Sequence, residues 1–335
     1  MRAHAKTFLV IALAASLGGS FFSDQINPYF LDIITGIGIN IILAVSLNLI
    51  NGYTGQFSLG HAGFMAVGAY TSAAITMFFG PRFLSALGGN NGATIAILFL
   101  SALLAGGLMA AVAGLFVGVP SLRLKGDYLA IVTLGFGEII RVIFRNMESV
   151  GGALGLTGIP GYTNIFWVFS FGALTIYVVT CMVNSTYGRG FLAVHDDEIA
   201  AEAMGINTTK YKIIAFVVGA FFAGIAGGIY GHFKLSIDPR GFDFMRSIEI
   251  VIMVILGGMG NTVGVIIAAV LLTLLPVGLR ELPPLAVDVP LGFFRLNFKI
   301  VWNESLMLFY SLFIIVLMLA RPQGLFTFRS KPKLA

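Results

Sequence analysis

Charge is scarce in this chain. Only 10% of its residues are Asp, Glu, Lys or Arg, against about 25% in an ordinary soluble domain. Hydrophobic residues make up 58%, and the mean hydropathy is +0.95. Those proportions exclude a soluble globular protein and specify a chain that crosses a membrane many times. Cysteine is scarcer still: Cys181 stands alone inside an apolar segment, so no intramolecular disulfide can form and nothing indicates an oxidising compartment. The histidines His4, His61, His195 and His232 are scattered, with no His-x-x-x-His or Glu-x-x-His pair to build a metal site. There is no G-x-x-x-x-G-K-[ST] run to hold ATP and no G-x-S-x-G elbow to carry a nucleophile. The formal charge of +5 includes Arg329, Lys331 and Lys333 in the tail. Without interleaved aromatics that suits anionic lipid, not nucleic acid. No catalytic residue and no cofactor is expected in this chain, which is better suited to moving something than to making something.

A span needs about 20 apolar residues. Such runs fall near 7–22, 28–50, 55–80, 93–118, 128–144, 164–184, 213–233, 247–256, 263–279 and 303–320. The expected fold is an all-α polytopic membrane protein with about 10 transmembrane helices, eight or nine being the alternatives. The run at 247–256 is short and is followed by Gly257, Gly258 and Gly260, so it begins earlier or belongs to a broken or re-entrant helix lining a cavity. Arg2 and Lys6 before the first run resemble the start of a secretory leader. A retained helix is expected instead, because an even count places both basic termini on one side. With the N-terminus inside, the cytoplasmic side receives 11 basic residues against nine outside, a slim positive-inside bias. The same arrangement puts residues 186–212 in the cytoplasm.

Three polar features interrupt the oil. The first runs from Asn48 to Ser72 and includes Asn51, Gln56, Ser58, His61, Tyr70 and Thr71 among small residues. Polar side chains in a dry interior must find partners or water. The stretch reads either as a broken helix lining a pathway or as tight packing with internally satisfied groups; His61 alone is more readily a structural histidine than a proton relay. Asn48, Gln56, Ser58, His61 and Thr71 are the pathway candidates here. The second feature places Glu138 three residues before Arg141, a spacing at which the pair can meet on one helix face. Glu138 is a further pathway candidate, since an ionisable residue inside a span is functional by default, although a structural ion pair explains it equally well. The third is the island at 186–212. Asp196 or Asp197 can cap a helix, Ala200, Ala201 and Ala203 fill its body, Gly205 sits where a left-handed C-cap belongs, and Asn207 offers a second N-cap. A short rigid helix between two spans serves either as a handle for another protein or as an ordinary capped connection.

Five segments in one order carry a family resemblance: Gly52 to Tyr70, Leu122 to Arg141, the island, Leu256 to Gly260, and Arg321 to Leu325. Together, over most of the chain, they resemble the LivM-type permeases of the branched-chain amino acid ABC importers. The resemblance implies ABC importer permease architecture, with residues 1–335 as one transmembrane permease domain. It also implies that 186–212 is a cytoplasmic coupling loop, in which Glu198, Ala200, Ala201 and Gly205 match the family's ATPase-coupling positions. Residues 321–335 form a basic cytoplasmic tail. The implied partners are a second, LivH-type permease, two ABC ATPase subunits that carry out the hydrolysis, and a periplasmic substrate-binding protein, in the bacterial inner membrane. The glycine-rich segment 151–160 resembles the periplasmic loop near which that binding protein docks. His195-Asp196 stands where the family often shows Arg-Glu, and Val265 where a proline commonly follows Gly264. The cargo implied is a branched-chain or other small apolar amino acid. The rival readings are a urea or short-chain amide permease of the same architecture, and an ATP-independent channel or carrier.

Overall fold

Backbone placed in hydrocarbon has to satisfy its own hydrogen bonds, and a helix does so within one segment. The computed structural model describes residues 2–21, 25–86, 89, 91–121, 127–280, 285–291 and 294–300, with 311, 312, 315, 316, 319–321 and 324 as isolated positions. The span expected at 303–320 and the tail at 321–335 therefore lie largely outside the described residues. The helices in chain order are α1 (Arg2–Phe21), α2 (Pro28–Asn51), α3 (His61–Ala74), α4 (Gly80–Ala86), α5 (Gly92–Ser121), α6 (Asp127–Asn146), α7 (Ile165–Val183), α8 (Thr186–Asp196), α9 (Glu198–Ala203), α10 (Thr208–Lys234), α11 (Phe244–Gly257) and α12 (Thr262–Arg280). A π-helical turn, Ile75–Phe79, joins α3 to α4 as one rod. Among the described residues five helical rods are long and apolar enough to cross a membrane: Pro28–Asn51, His61–Ala86, Gly92–Pro120, Ile165–Val183 and Thr208–Lys234.

Side-chain caps start many of these helices. Asn27 Oδ1 accepts from Tyr29 N at 3.0 Å, with Pro28 preset for the first turn. Asn164 caps α7 at Trp167 N, Ser185 caps α8 at Tyr187 N, and Asp243 caps α11 at Arg246 N. The centre of the bundle is α2, α3 and α10, whose cores are the most deeply buried; α5 and α7 keep an outward apolar face. Glycines set how closely the central helices approach. A Cβ on Gly68 of α3 would land on the Gly224 backbone of α10, and one on Gly106 of α5 would meet Gly68 O at 2.8 Å. Three backbones thus touch at one level, where dispersion replaces the missing side chains.

The helix ends gather at two faces. At one, Lys234 Nζ lies 2.6 Å from Asp32 Oδ1, and Gly19 packs on Ile165. Residues 148–164 fold over this end; β1 (Leu156–Thr157) pairs antiparallel with β2 (Ser236–Ile237), and Ile159 N donates to Leu235 O. From β2 the chain dips inward, placing the Phe242 ring 6.2 Å from Tyr70. Consequently α11 starts beside the midpoint of α2, where Arg246 Nη2 donates to Asn40 Oδ1 at 2.8 Å. With 14 residues it is about 21 Å long, too short for the full hydrocarbon thickness of about 30 Å. The short run at 247–256 is explained by this inward dip.

Two features depart from the sequence expectation. The apolar run at 55–80 does not begin as a helix: residues 52–60 are irregular and α3 starts at His61. After α12, the antiparallel ribbon of β3 (Leu285–Leu291) and β4 (Phe294–Ile300) fills what reads in hydropathy as a plain connection. Its signal is the alternation of Phe294, Leu296, Phe298 and Ile300 with Arg295, Asn297 and Lys299. The close central packing makes one prediction. Gly68→Val should destabilise the bundle by about 1–3 kcal/mol or more through overpacking, read as a lowered Tm in detergent. An unchanged Tm would mean that these helices part freely.

Candidate functional site: a buried break where the helices converge

The break at residues 52–60 is buried for most of its length although it has no regular secondary structure. Each polar backbone group there needs a partner. Asn51 supplies two: its Oδ1 accepts from Ser58 N at 3.2 Å and its Nδ2 donates to Ser58 O at 3.4 Å. Gln56 N donates to Ile50 O at 3.1 Å, and Thr54 Oγ1 donates to the same carbonyl at 2.7 Å. Neighbouring helices supply the rest. Leu59 N donates to Thr133 Oγ1 of α6 at 3.0 Å, and Ala62 N donates to Ser247 Oγ of α11 at 3.2 Å. Asn48 Oδ1 accepts from Gly260 N at 2.9 Å, and Tyr53 Oη pairs with Thr262 Oγ1 at 2.8 Å, which ties the break to the turn before α12. Glycines again allow the approach. A Cβ on Gly60 would strike the Thr133 carbonyl, one on Gly52 would strike Gly260 N, and one on Gly63 would meet Gly137 Cα at 2.9 Å.

Hydrogen bonding also assigns the His61 tautomer. Ser46 Oγ donates to Leu43 O at 2.9 Å, so it accepts from His61 Nε2–H, also at 2.9 Å. His61 Nδ1 is then a bare acceptor, fully buried and without a protein partner. Asn48 Nδ2, a donor, and Gln56 Oε1 and Ser58 Oγ are likewise buried without a protein partner, as is Tyr70 Oη further along α3. A buried group left unpaired costs about 1–3 kcal/mol, and four of these five atoms belong to the break and its flanks.

Beside the break, α6 and α11 form the walls of a narrow cleft. Leu59 and Gly63 make its floor, Leu134, Gly137 and Glu138 one wall, and Asp243, Phe244 and Ser247 the other. It has room for about one water, too little for an amino acid without movement. Glu138 is held by Arg141, with Nη2 2.6 Å from Oε2, and both side chains are about a third exposed. Asp243 Oδ1 is engaged as the cap of α11. A second polar group, invisible in the sequence, lies behind α11: Arg246 binds Glu249 and Asn40, and Asn40 Nδ2 donates to Thr273 Oγ1 of α12 at 2.8 Å. The structure thus brings Asn48, Gln56, Ser58 and His61 together at the break with Glu138 next to it. Thr71 sits half-buried further along α3. Among the described residues no three His, Cys, Asp or Glu side chains come together to hold a metal ion.

The island is a bracket of two helices at the same end of the bundle as the break. Asp197 Oδ1 caps α9, accepting from Ile199 N at 2.9 Å and Ala200 N at 3.0 Å; Gly205 has φ +82°; and Asn207 Oδ1 accepts from Lys210 N at 3.0 Å. Every cap legible in the sequence is used. The side of α9 that carries Glu198 faces inward: Glu198 Oε1 lies 2.6 Å from Lys212 Nζ, whose side chain is only 6% exposed. Glu202 Oε1 accepts from Thr208 Oγ1 at 2.7 Å, and Ala201 is buried. Two side chains therefore clamp α9 to the first turns of α10. Outward, next to Ala200, stand Ile199, 71% exposed, and Met204, 83% exposed. Exposed apolar residues on a short rigid helix are the signal that the sequence reading passed over. Phe191 packs edge-to-face on Tyr211 and fixes α8 to α10.

A helical bundle with outward apolar faces, a buried break beside a narrow cleft and a rigid bracket at one end is a multi-pass membrane protein. The family model described as branched-chain amino acid transport system / permease component matches residues 29–320. The high-affinity branched-chain amino acid transport permease protein LivM of Escherichia coli strain K12 is 33% identical over 96% of this chain and 74% of its own length. LivH of the same organism is 31% identical over 32% of this chain and 34% of its own length. A solved structure of PsaBC from Streptococcus pneumoniae with a Fab aligns over 90% of this chain and 95% of that one at 14% identity, but its TM-score of 0.39 carries no argument. The chain belongs to the permease-component family of branched-chain amino acid transport systems, and within it resembles LivM along nearly its whole length.

The clamp on α9 yields a prediction. Lys212→Met leaves Glu198 without its cation, and the protection of α9 against hydrogen exchange should fall by about 2 kcal/mol, roughly 30-fold. Unchanged exchange would show that the Asp197 cap alone holds the helix.

Proposed function

We propose that this chain forms one half of an alternating-access pathway that brings branched-chain or other small apolar amino acids across the bacterial inner membrane. The observation that carries the reading is the bracket of α8 and α9: capped at each turn, clamped to α10, and presenting Ile199 and Met204 outward at the end where the break lies. An ordinary connection has no need of that rigidity. On this reading the bracket is cytoplasmic and docks in a groove of an ABC ATPase, with Ile199, Ala200 and Met204 in contact and Glu198, Ala201 and Gly205 holding the helix in shape. ATP-driven closure of two such ATPases displaces the bracket and favours the outward-open state, and hydrolysis resets it.

The cleft between α6 and α11 is this subunit's share of the pathway, with Leu134, Gly137 and Phe244 beside the polar Glu138, Asp243 and Ser247 in its walls. Asn48, Gln56, Ser58 and His61 lie beneath it and exchange partners when it opens; Thr71 lies further along the same rod. A second permease of the LivH type completes the pathway, and a periplasmic binding protein delivers the cargo near residues 151–160. About ten spans with both termini inside accommodate this arrangement. The length of the match to LivM, set against the short one to LivH, supports the LivM half of such a pair.

The test is uptake of leucine and of urea by vesicles that carry this chain with its neighbouring permease, ATPase and binding-protein genes, with and without ATP. Leucine uptake that requires ATP is the expected result. Urea uptake that requires ATP would keep the mechanism and overturn the cargo, while uptake of either without ATP would replace the importer by a channel or carrier.

A further inference from the structure

We propose that His195 is a positioning residue for transport, passing the displacement of the bracket directly to the buried break through its contact with Gly55. The inference rests on reading the bracket as the ATPase handle. It starts from Gly55, which has φ +66° and no side chain, so that its bare backbone is open to a neighbour. That neighbour is His195 near the end of α8: a Cβ on Gly55 would lie 3.2 Å from His195 Cδ2 and 3.4 Å from its Cα. Less than the space of one side-chain carbon therefore separates the Gly55 backbone from the ring and backbone of His195. His195 is anchored from behind, since Phe191 and Val194 are buried one turn and one residue earlier, and its Nδ1 lies 3.2 Å from Asp196 Oδ1.

What the break holds on its far side gives the contact its consequence. Leu59 is bonded to Thr133 of α6 and Ala62 to Ser247 of α11, the two helices that wall the cleft. A push on Gly55 therefore reaches both walls through a few residues of irregular chain. The unpaired Gln56 Oε1 and Ser58 Oγ sit in the segment that has to shift. The clamp of Glu198 on Lys212 is a different route, leading into α10 without touching the break. Packing can be pushed without any charge, so the link is steric, and a ring of similar size serves as well as imidazole.

Two measurements test this on wild type, His195→Gly and His195→Phe. The first is hydrogen exchange at residues 54–62 of the purified chain in detergent. His195→Gly should raise exchange there and His195→Phe should restore it. The second is leucine uptake per ATP hydrolysed by the complete complex in proteoliposomes. His195→Gly should lower that ratio about fivefold or more, the range of ordinary coupling free energies, while hydrolysis continues and His195→Phe recovers most of it. Unchanged exchange in His195→Gly would overturn the contact, whatever uptake does. Raised exchange with an unchanged ratio would overturn its role in transport. A wild-type complex without ATP-dependent uptake would count against the importer reading, and the exchange result would still decide the contact.

Discussion

A run of irregular backbone buried among helices has to satisfy its polar groups without help from water, and the arrangement of this bundle follows from how residues 52–60 do so. The partners of these residues and their immediate flanks come from α2 through Asn51, from α6 through Thr133, from α11 through Ser247, from the turn before α12 through Gly260, and from α12 through Thr262. Those elements are thereby fixed around one point. Glycine makes the approach possible, because side chains at Gly52, Gly60 or Gly63 would collide with the backbone that closes the site. Buried polar atoms at Asn48, Gln56, Ser58 and His61 have no partner within the protein, so the hydrogen-bonding capacity at the break is not used up.

On the proposed reading the molecule divides around this hub into a lever and a gate. The lever is the bracket of α8 and α9 together with α10, joined by Glu198–Lys212, Glu202–Thr208 and the packing of Phe191 on Tyr211. The gate is the pair α6 and α11, bonded through one hydroxyl acceptor each to Leu59 of the break and to Ala62 at the start of α3. Single hydrogen bonds at more than 2.9 Å are worth about 1 kcal/mol net, so the gate can exchange them at modest cost. By contrast, the glycine contacts of α3, α5 and α10 form a tight seam that has few alternative packings. On the proposed reading the gate moves against the break by exchanging these bonds and sliding along the close contacts of Gly60 and Gly63 with α6. The network of Arg246, Asn40 and Thr273 keeps α11 and α12 attached to α2 while that happens.

Local signals in the sequence translated well. Asp197, Gly205 and Asn207 announce caps because capping is a matter of a few adjacent residues, and Glu138 announces Arg141 because three residues bring side chains onto one helix face. Hydropathy located the apolar rods but misplaced the start of α3, since small and apolar residues in 55–60 look the same whether coiled into helix or packed in a break. Partners distant in sequence left no trace: nothing in Asn40 points to Arg246, in Glu198 to Lys212, or in Gly55 to His195. Glu198 shows the consequence. Its resemblance-based role as an ATPase-coupling position is compatible with an inward side chain, and the outward residues Ile199 and Met204 were legible only once the helix had a face.

The central claim is that displacement at the bracket opens the cleft between α6 and α11. Spin labels at Ile139 of α6 and Met245 of α11, both on exposed surface, report that opening without disturbing the packing. Electron–electron distance measurements on the full complex, nucleotide-free and trapped with ATP, give the most direct test. The account predicts that the distance distribution shifts to a distinct second population when ATP is trapped. An identical distribution in both states would contradict it.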